Sequence, residues 1–457
     1  METKHVDVLV IGSGTAGSNA ARAATAAGAK EVVMVHEPGL INTCIEEGCM
    51  PSKSVLAGAH QGEPLEEVLE KRNAHIDRLL KALLEGLKDE AFTMIEGTAS
   101  FIDDHTVAVT NNSETEQYSA DGIVLATGTS AFVPPIEGLD TLGDKMLLSE
   151  DVVTKAANFS KVPKRLLVIG GGPIGLEMAT FFHDMGSEVD VFERTRALGA
   201  YDPEIGEERV RASQAERSFP IHLKANLQKT ECKDDQVLCT VEQNGEVRAE
   251  MYDAVLIATG RHANTAGLKL ENTSLDIDEK GRIIHQETTL ETSVPHIFVA
   301  GDVSGHHQIL HYAAAMGKTA GTNATLPEQQ ATIDYDLLTL AVSFDQFQSA
   351  LAGLTETEAK ARDLDVITAT RKFNSIGLGI LKRQEYGLWK LVAEKHSGRI
   401  IGSQIIGPDS AGELIQLLVP IMHNKNTWAD ILDMTWYHPT YAEIIKSLAR
   451  DLEKQCD

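Results

Sequence analysis

The chain of 457 residues and 49.5 kDa corresponds to two to four domains at roughly 150 residues each, which excludes a single-module protein. Apolar residues make up 42% and charged residues 24%, so neither disorder nor a fibrous class has support, and 41 Lys plus Arg against 67 Asp plus Glu leave a formal charge of −26 that disfavours nucleic acid and anionic membranes as partners. Five cysteines make no disulfide framework, and neither a secretory leader nor a membrane-length apolar run is visible, which together point to the reducing cytoplasm.

Taken in chain order, residues 6–11 form a β-branched run that meets a glycine-rich turn and then an alanine-rich helix over 18–27. Residues 65–90 carry apolar positions at helical spacing, with Pro64 at the start, and 97–109 read as hairpin strands that close with 122–128. This gives a first domain over 1–150. The strand, glycine turn, helix and strand order recurs over 165–169, 170–175, 176–185 and 189–193, and a strand over 254–260 closes a second domain at 151–270. Residues 271–328, with a strand over 297–302 and a helix over 311–324, return to the first domain. After a linker at 327–332, residues 333–457 hold strands at 366–371, 387–393 and 400–406, then helices at 411–423 and 441–453. The expected class is α/β, two Rossmann-like dinucleotide-binding domains followed by an α+β C-terminal domain.

Gly12, Gly14 and Gly17, and again Gly170, Gly172 and Gly175, fit the G-x-G-x-x-G pattern in strand-turn-helix context. The missing side chains permit a tight turn, close approach of a pyrophosphate and tight helix packing, and the helix start supplies free N–H groups. Glu193 ends the strand after the second turn, where a carboxylate can accept both ribose hydroxyls, so NAD fits better than NADP. Arg194 and Arg196 follow closely and could reach a 2′-phosphate. At the first turn the corresponding acid is ambiguous between His36 and Glu37.

Cys44 and Cys49 stand five residues apart in Thr43-Cys44-Ile45-Glu46-Glu47-Gly48-Cys49-Met50-Pro51-Ser52-Lys53. In a regular helix their Cα atoms would be about 8.7 Å apart. A disulfide needs about 4.4–6.8 Å. Bridging therefore requires a distorted backbone, and Gly48 is the residue able to absorb it. His438, an imidazole that titrates near neutrality, precedes Glu443 by five residues, a carboxylate able to hold the ring and its cation.

With Ala126-Thr127-Gly128, Ala258-Thr259-Gly260-Arg261, Gly301-Asp302 and His438-Pro439-Thr440, these motifs make the chain resemble the pyridine nucleotide-disulfide oxidoreductases, and within them the dihydrolipoamide dehydrogenases, over almost its whole length. The resemblance implies FAD on the first unit, near Gly12, Gly14, Gly17, His36 or Glu37, Thr43, Lys53, Thr127, Gly128, Gly301, Asp302, His311 and Ala313. It implies NAD on the second, near Gly170, Gly172, Ile174, Gly175, Glu193, Gly260 and Arg261, with no metal. Lys53 would lie near the flavin, paired with Glu177. Cys44 would exchange with the substrate disulfide, Cys49 would be the flavin-side thiolate, and His438 with Glu443 would serve as base across the interface of a homodimer formed by a C-terminal dimerisation domain. The implied reaction oxidises dihydrolipoyl groups on a carrier protein or acyltransferase core, with electrons passed to NAD.

Some positions depart from the pattern. Ile41 and Asn42 replace two glycines, and Glu46 and Glu47 replace neutral residues between the cysteines, where their charge should disfavour a thiolate and lower the dithiol potential. Phe344-Asp345-Gln346-Phe347 stands in place of a Phe-Thr-x-Pro turn near the interface. Mercuric reductases carry a further cysteine pair near the C-terminus, where this chain has only Cys456, and Cys232 and Cys239 read as ordinary thiols. Two alternatives stay open: an NAD(P)H-dependent reductase of another disulfide, and a scaffold subunit that holds FAD for stability. The negative charge could also steer a basic docking segment of an acyl-carrier complex.

Overall fold

The computed structural model describes residues 2–156, 159–215, 218–305, 308–335, 340–344 and 347–456. Its first sheet is built around Thr3–Ile11, which pairs in parallel with Val32–His36 on one side and Glu114–Leu125 on the other, so that Leu9 sits between Val33 and Ile123. Val8, Leu9, Val10 and Ile11 are all buried, as expected for a parallel strand covered on both faces. Ile297–Val299 adds to the far side of Glu114–Leu125, which brings residues near 300 back to the first unit. The expected hairpin is a three-stranded antiparallel piece, Thr98–Phe101, Thr106–Asn111 and the early part of Glu114–Leu125.

The second sheet is five-stranded and parallel, in the order Ile221–Leu223, Glu188–Glu193, Arg165–Ile169, Ala254–Ile257 and Met146–Leu147. A three-stranded antiparallel sheet, Ala225–Lys233, Gln236–Gln243 and Glu246–Tyr252, packs beside it. Arg261–Ala263 then pairs with Thr129–Ala131, and Leu268, Leu270 and Leu275 pack into the core of the first sheet, on either side of the expected return at 271. Two dinucleotide-type units thus share one pair of crossing strands. Pro327–Gln329 forms a single 3-10 turn in the expected linker.

The C-terminal domain is a five-stranded antiparallel sheet in the order Leu340–Ser343, Gln348–Gly353, Ile400–Gly407, Leu388–Glu394 and Val366–Lys372. Its first two strands escape the sequence reading because Ser343, Ser349 and the small residues around them dilute the apolar signal. The helix expected over 411–423 is two helices, Ala411–Ile415 and Leu418–His423, and the last helix begins at Ile444 instead of 441. The 344–347 turn falls partly outside the described residues, although Phe344 and Phe347 belong to them.

One buried cluster ties this domain to the second unit. Lys390, on a strand of the C-terminal sheet, meets Asp202 at 3.0 Å and Glu356 at 2.6 Å and also pairs with Glu204, while Asp202 accepts from the N–H groups of Glu356 and Thr357. Burial pushes the Asp202 acid upward, but hydrogen bonds from Thr357, the Glu356 N–H and Lys390 outweigh it and hold it at about 2. Charges buried this completely persist only when paired, so the cluster fixes how the two domains meet.

Candidate active site

The cysteine segment leaves the first unit's second strand through a loop and forms two helices rather than one, Thr43–Glu46 and Cys49–His60. The break falls at Gly48, with φ −126° and ψ −114°, and a Cβ there would meet the Thr43 carbonyl at 3.0 Å. Breaking the helix brings the two thiols within hydrogen-bond reach of each other. The pair divides its protons unequally. The hydrogen bond from Cys44 and the nearby Lys53 cation outweigh burial and lower Cys49 to about 7, while the same hydrogen bond together with burial raises Cys44.

Glu46 has a structural role that the sequence does not announce. Its Oε1 accepts the N–H groups of Ile41 at 2.8 Å and Asn42 at 2.7 Å, so it anchors the loop that carries the two non-glycine residues. Asn42 Oδ1 in turn accepts the Ile45 N–H at 3.2 Å, and Ser13 Oγ donates to the Ile41 carbonyl at 2.7 Å. The unusual Ile41, Asn42 and Glu46 are therefore one hydrogen-bonded unit. The main electrostatic influences on Cys49 are Lys53 and Glu177.

Lys53 Nζ donates to both oxygens of Glu177, at 2.9 and 2.8 Å, and Glu177 is 5% exposed. Phe344 donates its N–H to Glu177 Oε1 at 3.0 Å and places its ring 5.2 Å from Lys53 Nζ. Three domains thus converge on one ion pair. Sequence reasoning noted Phe344 only as an interface position, because a backbone donor leaves no residue-type signature.

These groups open onto a cavity of 980 Å³, large enough for a ligand of drug size or more. Gly12, Gly14, Glu37, Thr43, Cys44, Cys49, Lys53, Thr127, Gly128, Ile174, Glu177, Arg261, Gly301, Asp302 and Ala313 all line it. His36 and His311 are not on this lining. The His36 ring turns back to the Glu37 carbonyl at 3.2 Å, which leaves Glu37 as the acid facing the cavity, and His311 packs against Tyr312 with ring centroids 5.4 Å apart. Burial raises the Asp302 acid against the pull of Arg261. Arg261 is braced by Glu150 at 2.9 Å and by Thr129, and Asn264 accepts from Thr127 Oγ1 through its carbonyl at 2.7 Å. These supports lack a recognisable motif.

The glycine turns fit a dinucleotide. A Cβ on Gly12 would lie 2.2 Å from the Ala126 carbonyl oxygen and one on Gly17 1.8 Å from that of Gly12, so the fold itself demands these two. A Cβ on Gly14 would meet nothing within 4 Å. Its smallness answers to what approaches from the cavity, at the start of Thr15–Ala26, whose N–H groups suit a phosphate. Gly170, Gly172 and Gly175 repeat the pattern, with contacts of 2.2 Å to the Ala258 carbonyl oxygen, none, and 2.0 Å to that of Gly170. Glu193 accepts from the Gly171 N–H at 2.9 Å and from Thr195, which holds its carboxylate over the turn. Gly260 leads the chain into Arg261 with φ +121°.

His438 and Glu443 lie elsewhere, on the C-terminal domain. His438 Nδ1 is 2.7 Å from Glu443 Oε2, and the histidine side chain is 73% exposed beside the helix Gly377–Leu381. The chain does not bring them to its own cysteines. Cys239 is buried, which pushes its thiol up to about 12, and it faces Thr230 across the strands while Cys232 faces Val237.

Residues 6–318 match the pyridine nucleotide-disulphide oxidoreductase family and residues 339–449 its dimerisation domain. The chain is 32% identical to a mercuric reductase of Staphylococcus aureus, over 98% of this chain and 82% of that protein. It is 31% identical to a dihydrolipoyl dehydrogenase of Geobacillus stearothermophilus, over 97% and 96%. The solved HOCl-induced flavoprotein disulfide reductase RclA from Escherichia coli shares the fold with a TM-score of 0.82 at 25% identity, covering 97% of this chain and 99% of that one.

Proposed function

Because this chain belongs to the pyridine nucleotide-disulphide oxidoreductase family, we propose that it oxidises protein-bound dihydrolipoyl groups to the disulfide and passes the electrons to NAD. It is an FAD-dependent, NAD(P)H-linked disulfide oxidoreductase. The observation that carries the finer reading is the dithiol itself, Cys44 and Cys49 in mutual contact at the mouth of a cavity that also holds the Lys53 and Glu177 pair. When bound, FAD supplies two-electron exchange between a nicotinamide and a thiol pair.

The residues divide the remaining work. Gly12, Gly14, Gly17, Glu37 and Asp302 would hold FAD, and Gly170, Gly172, Gly175 and Glu193 would hold the nicotinamide nucleotide. Cys49, lowered to about 7, holds negative charge beside Lys53, and Cys44 keeps its proton until a base removes it for exchange with the substrate sulfur. His438, oriented by Glu443, is that base. Since it stands outside the chain's own cavity, a second copy must supply it. Exposed Ile380, Leu381 and Tyr437 flank it on the same two segments, an apolar surface that such a copy would cover.

Glu193, held over the turn by the Gly171 N–H, favours NAD over its 2′-phosphorylated form, and of the two arginines that follow it Arg196 donates to the carbonyl of Gly199 at 2.7 Å. A lipoyl substrate is favoured over mercuric ion because only Cys456 lies beyond Cys239. Steady-state turnover of dihydrolipoamide, glutathione disulfide and mercuric ion by the purified protein tests the assignment. A kcat/KM highest for dihydrolipoamide with NAD is expected, and a preference for either of the others would overturn it.

A further inference from the structure

The cavity is rich in acids that its own cations do not balance. Glu37, Glu47, Glu177 and Asp302 line it. Lys53 is already engaged with Glu177, Arg261 with Glu150, and Lys280 on the same lining is exposed at the surface. Into this surplus of negative charge a dinucleotide must bring a doubly charged pyrophosphate, so some carboxylate has to give way.

Glu47 is the group placed to do so. It sits at the break between the two helices that carry Cys44 and Cys49, and its side chain lines the cavity. Glu46 on its own turn faces it, as do Glu150 from the helix Glu150–Val153, Glu37 from the loop after Val32–His36, and Arg261 from the strand Arg261–Ala263. Glu46 is occupied by the N–H groups of Ile41 and Asn42, and Arg261 by Glu150 and Thr129. Among the described residues the Glu47 carboxylate accepts no hydrogen bond. Burial, then Glu150 and Glu46, hold this acid above its ordinary range, with Arg261 opposing and Glu37 adding.

We propose that Glu47 takes a proton from solvent as FAD binds and keeps it in the loaded site, as a neutral acid able to donate a hydrogen bond where its carboxylate could only accept one. The proposal rests on the FAD assignment of this cavity. FAD binding and proton uptake are then linked, and cofactor retention weakens as pH rises through the range in which Glu47 would ionise. Asp302, also raised by burial, remains as it is in both states because Arg261 and Thr129 already face it.

Full-length holo-protein, diluted stepwise at pH values from about 5 to about 9, reports the FAD Kd through the fluorescence of released flavin, with far-UV circular dichroism to show that the fold persists. The Kd should climb by up to roughly tenfold per pH unit within one window. Glu47→Gln, neutral throughout, should retain FAD at high pH and flatten the profile, and Glu47→Asp should restore the slope. A flat profile in the unsubstituted protein, or an unchanged slope in Glu47→Gln, would overturn the proposal. Failure to hold FAD at any pH would instead overturn the cofactor assignment on which it rests.

Discussion

Cys49 owes its thiolate character to two neighbours, the Cys44 thiol and the Lys53 cation, and only the second can be removed without breaking the dithiol. Lys53→Met should move the pH midpoint of Cys49 alkylation upward by one unit or more, since an opposite charge at this range shifts a pKa by about 1–3 units. The rate of iodoacetamide modification against pH measures this, and an unmoved midpoint would mean that Cys44 alone sets the charge. Cys44 and Cys49 were legible in the sequence from their spacing, whereas Lys53 and Glu177 came as a pair only with the resemblance to the family. Glu46 was legible as a charge near the dithiol but not as the anchor of the loop before it. Its hydrogen bonds run to backbone N–H groups of Ile41 and Asn42, and no sequence pattern records which N–H groups a loop leaves free. The choice of Glu37 over His36 likewise depends on which side chain turns toward the cavity.

Each glycine turn separates two demands that the motif merges, and mutation can pull them apart. Gly17→Ala forces a Cβ into the Gly12 carbonyl and should lower Tm steeply, whereas Gly14→Ala meets no protein atom and should leave Tm of the flavin-free protein unchanged while the yellow cofactor is lost. Thermal unfolding and flavin absorbance, read together on both variants, check the division. Equal loss of Tm in the two would show that Gly14 serves packing after all. Strand and helix patterns of this kind carried most of the two nucleotide units, where buried strands read as unbroken apolar runs. They carried less of the C-terminal domain. Gln348–Gly353 is built of small residues with no alternation, and the pair Ala411–Ile415 and Leu418–His423 shares one continuous apolar pattern although the backbone breaks between them.

The assembled chain is held in register by Lys390 and its carboxylates, which join the second unit to the C-terminal domain that carries His438. Lys390→Met leaves the buried Asp202 and its neighbour Glu204 without their cation, Glu356 keeping Lys360, and should cost about 3–5 kcal/mol in unfolding free energy, measured by urea titration at neutral pH. Asp202 has a folded pKa below its unfolded one, so its share of stability is present above the ordinary value of 3.8 and is lost as pH falls toward about 2. The exposed His438 leads to a second expectation at this level. Cys49→Ser and His438→Gln chains, each inactive toward dihydrolipoamide, should regain activity when unfolded together and reassembled, since one mixed interface would pair an intact dithiol with an intact histidine. No recovery despite mixed dimers would place both groups within one chain.

In the proposed reaction run in reverse, the two cysteines and the bound flavin each store an electron pair drawn from the nicotinamide. Anaerobic titration of the purified holo-protein with NADH, followed by flavin absorbance, counts those pairs directly: about two equivalents per chain for the unsubstituted protein and about one for Cys44→Ser. A single equivalent in both would contradict a working dithiol at this site.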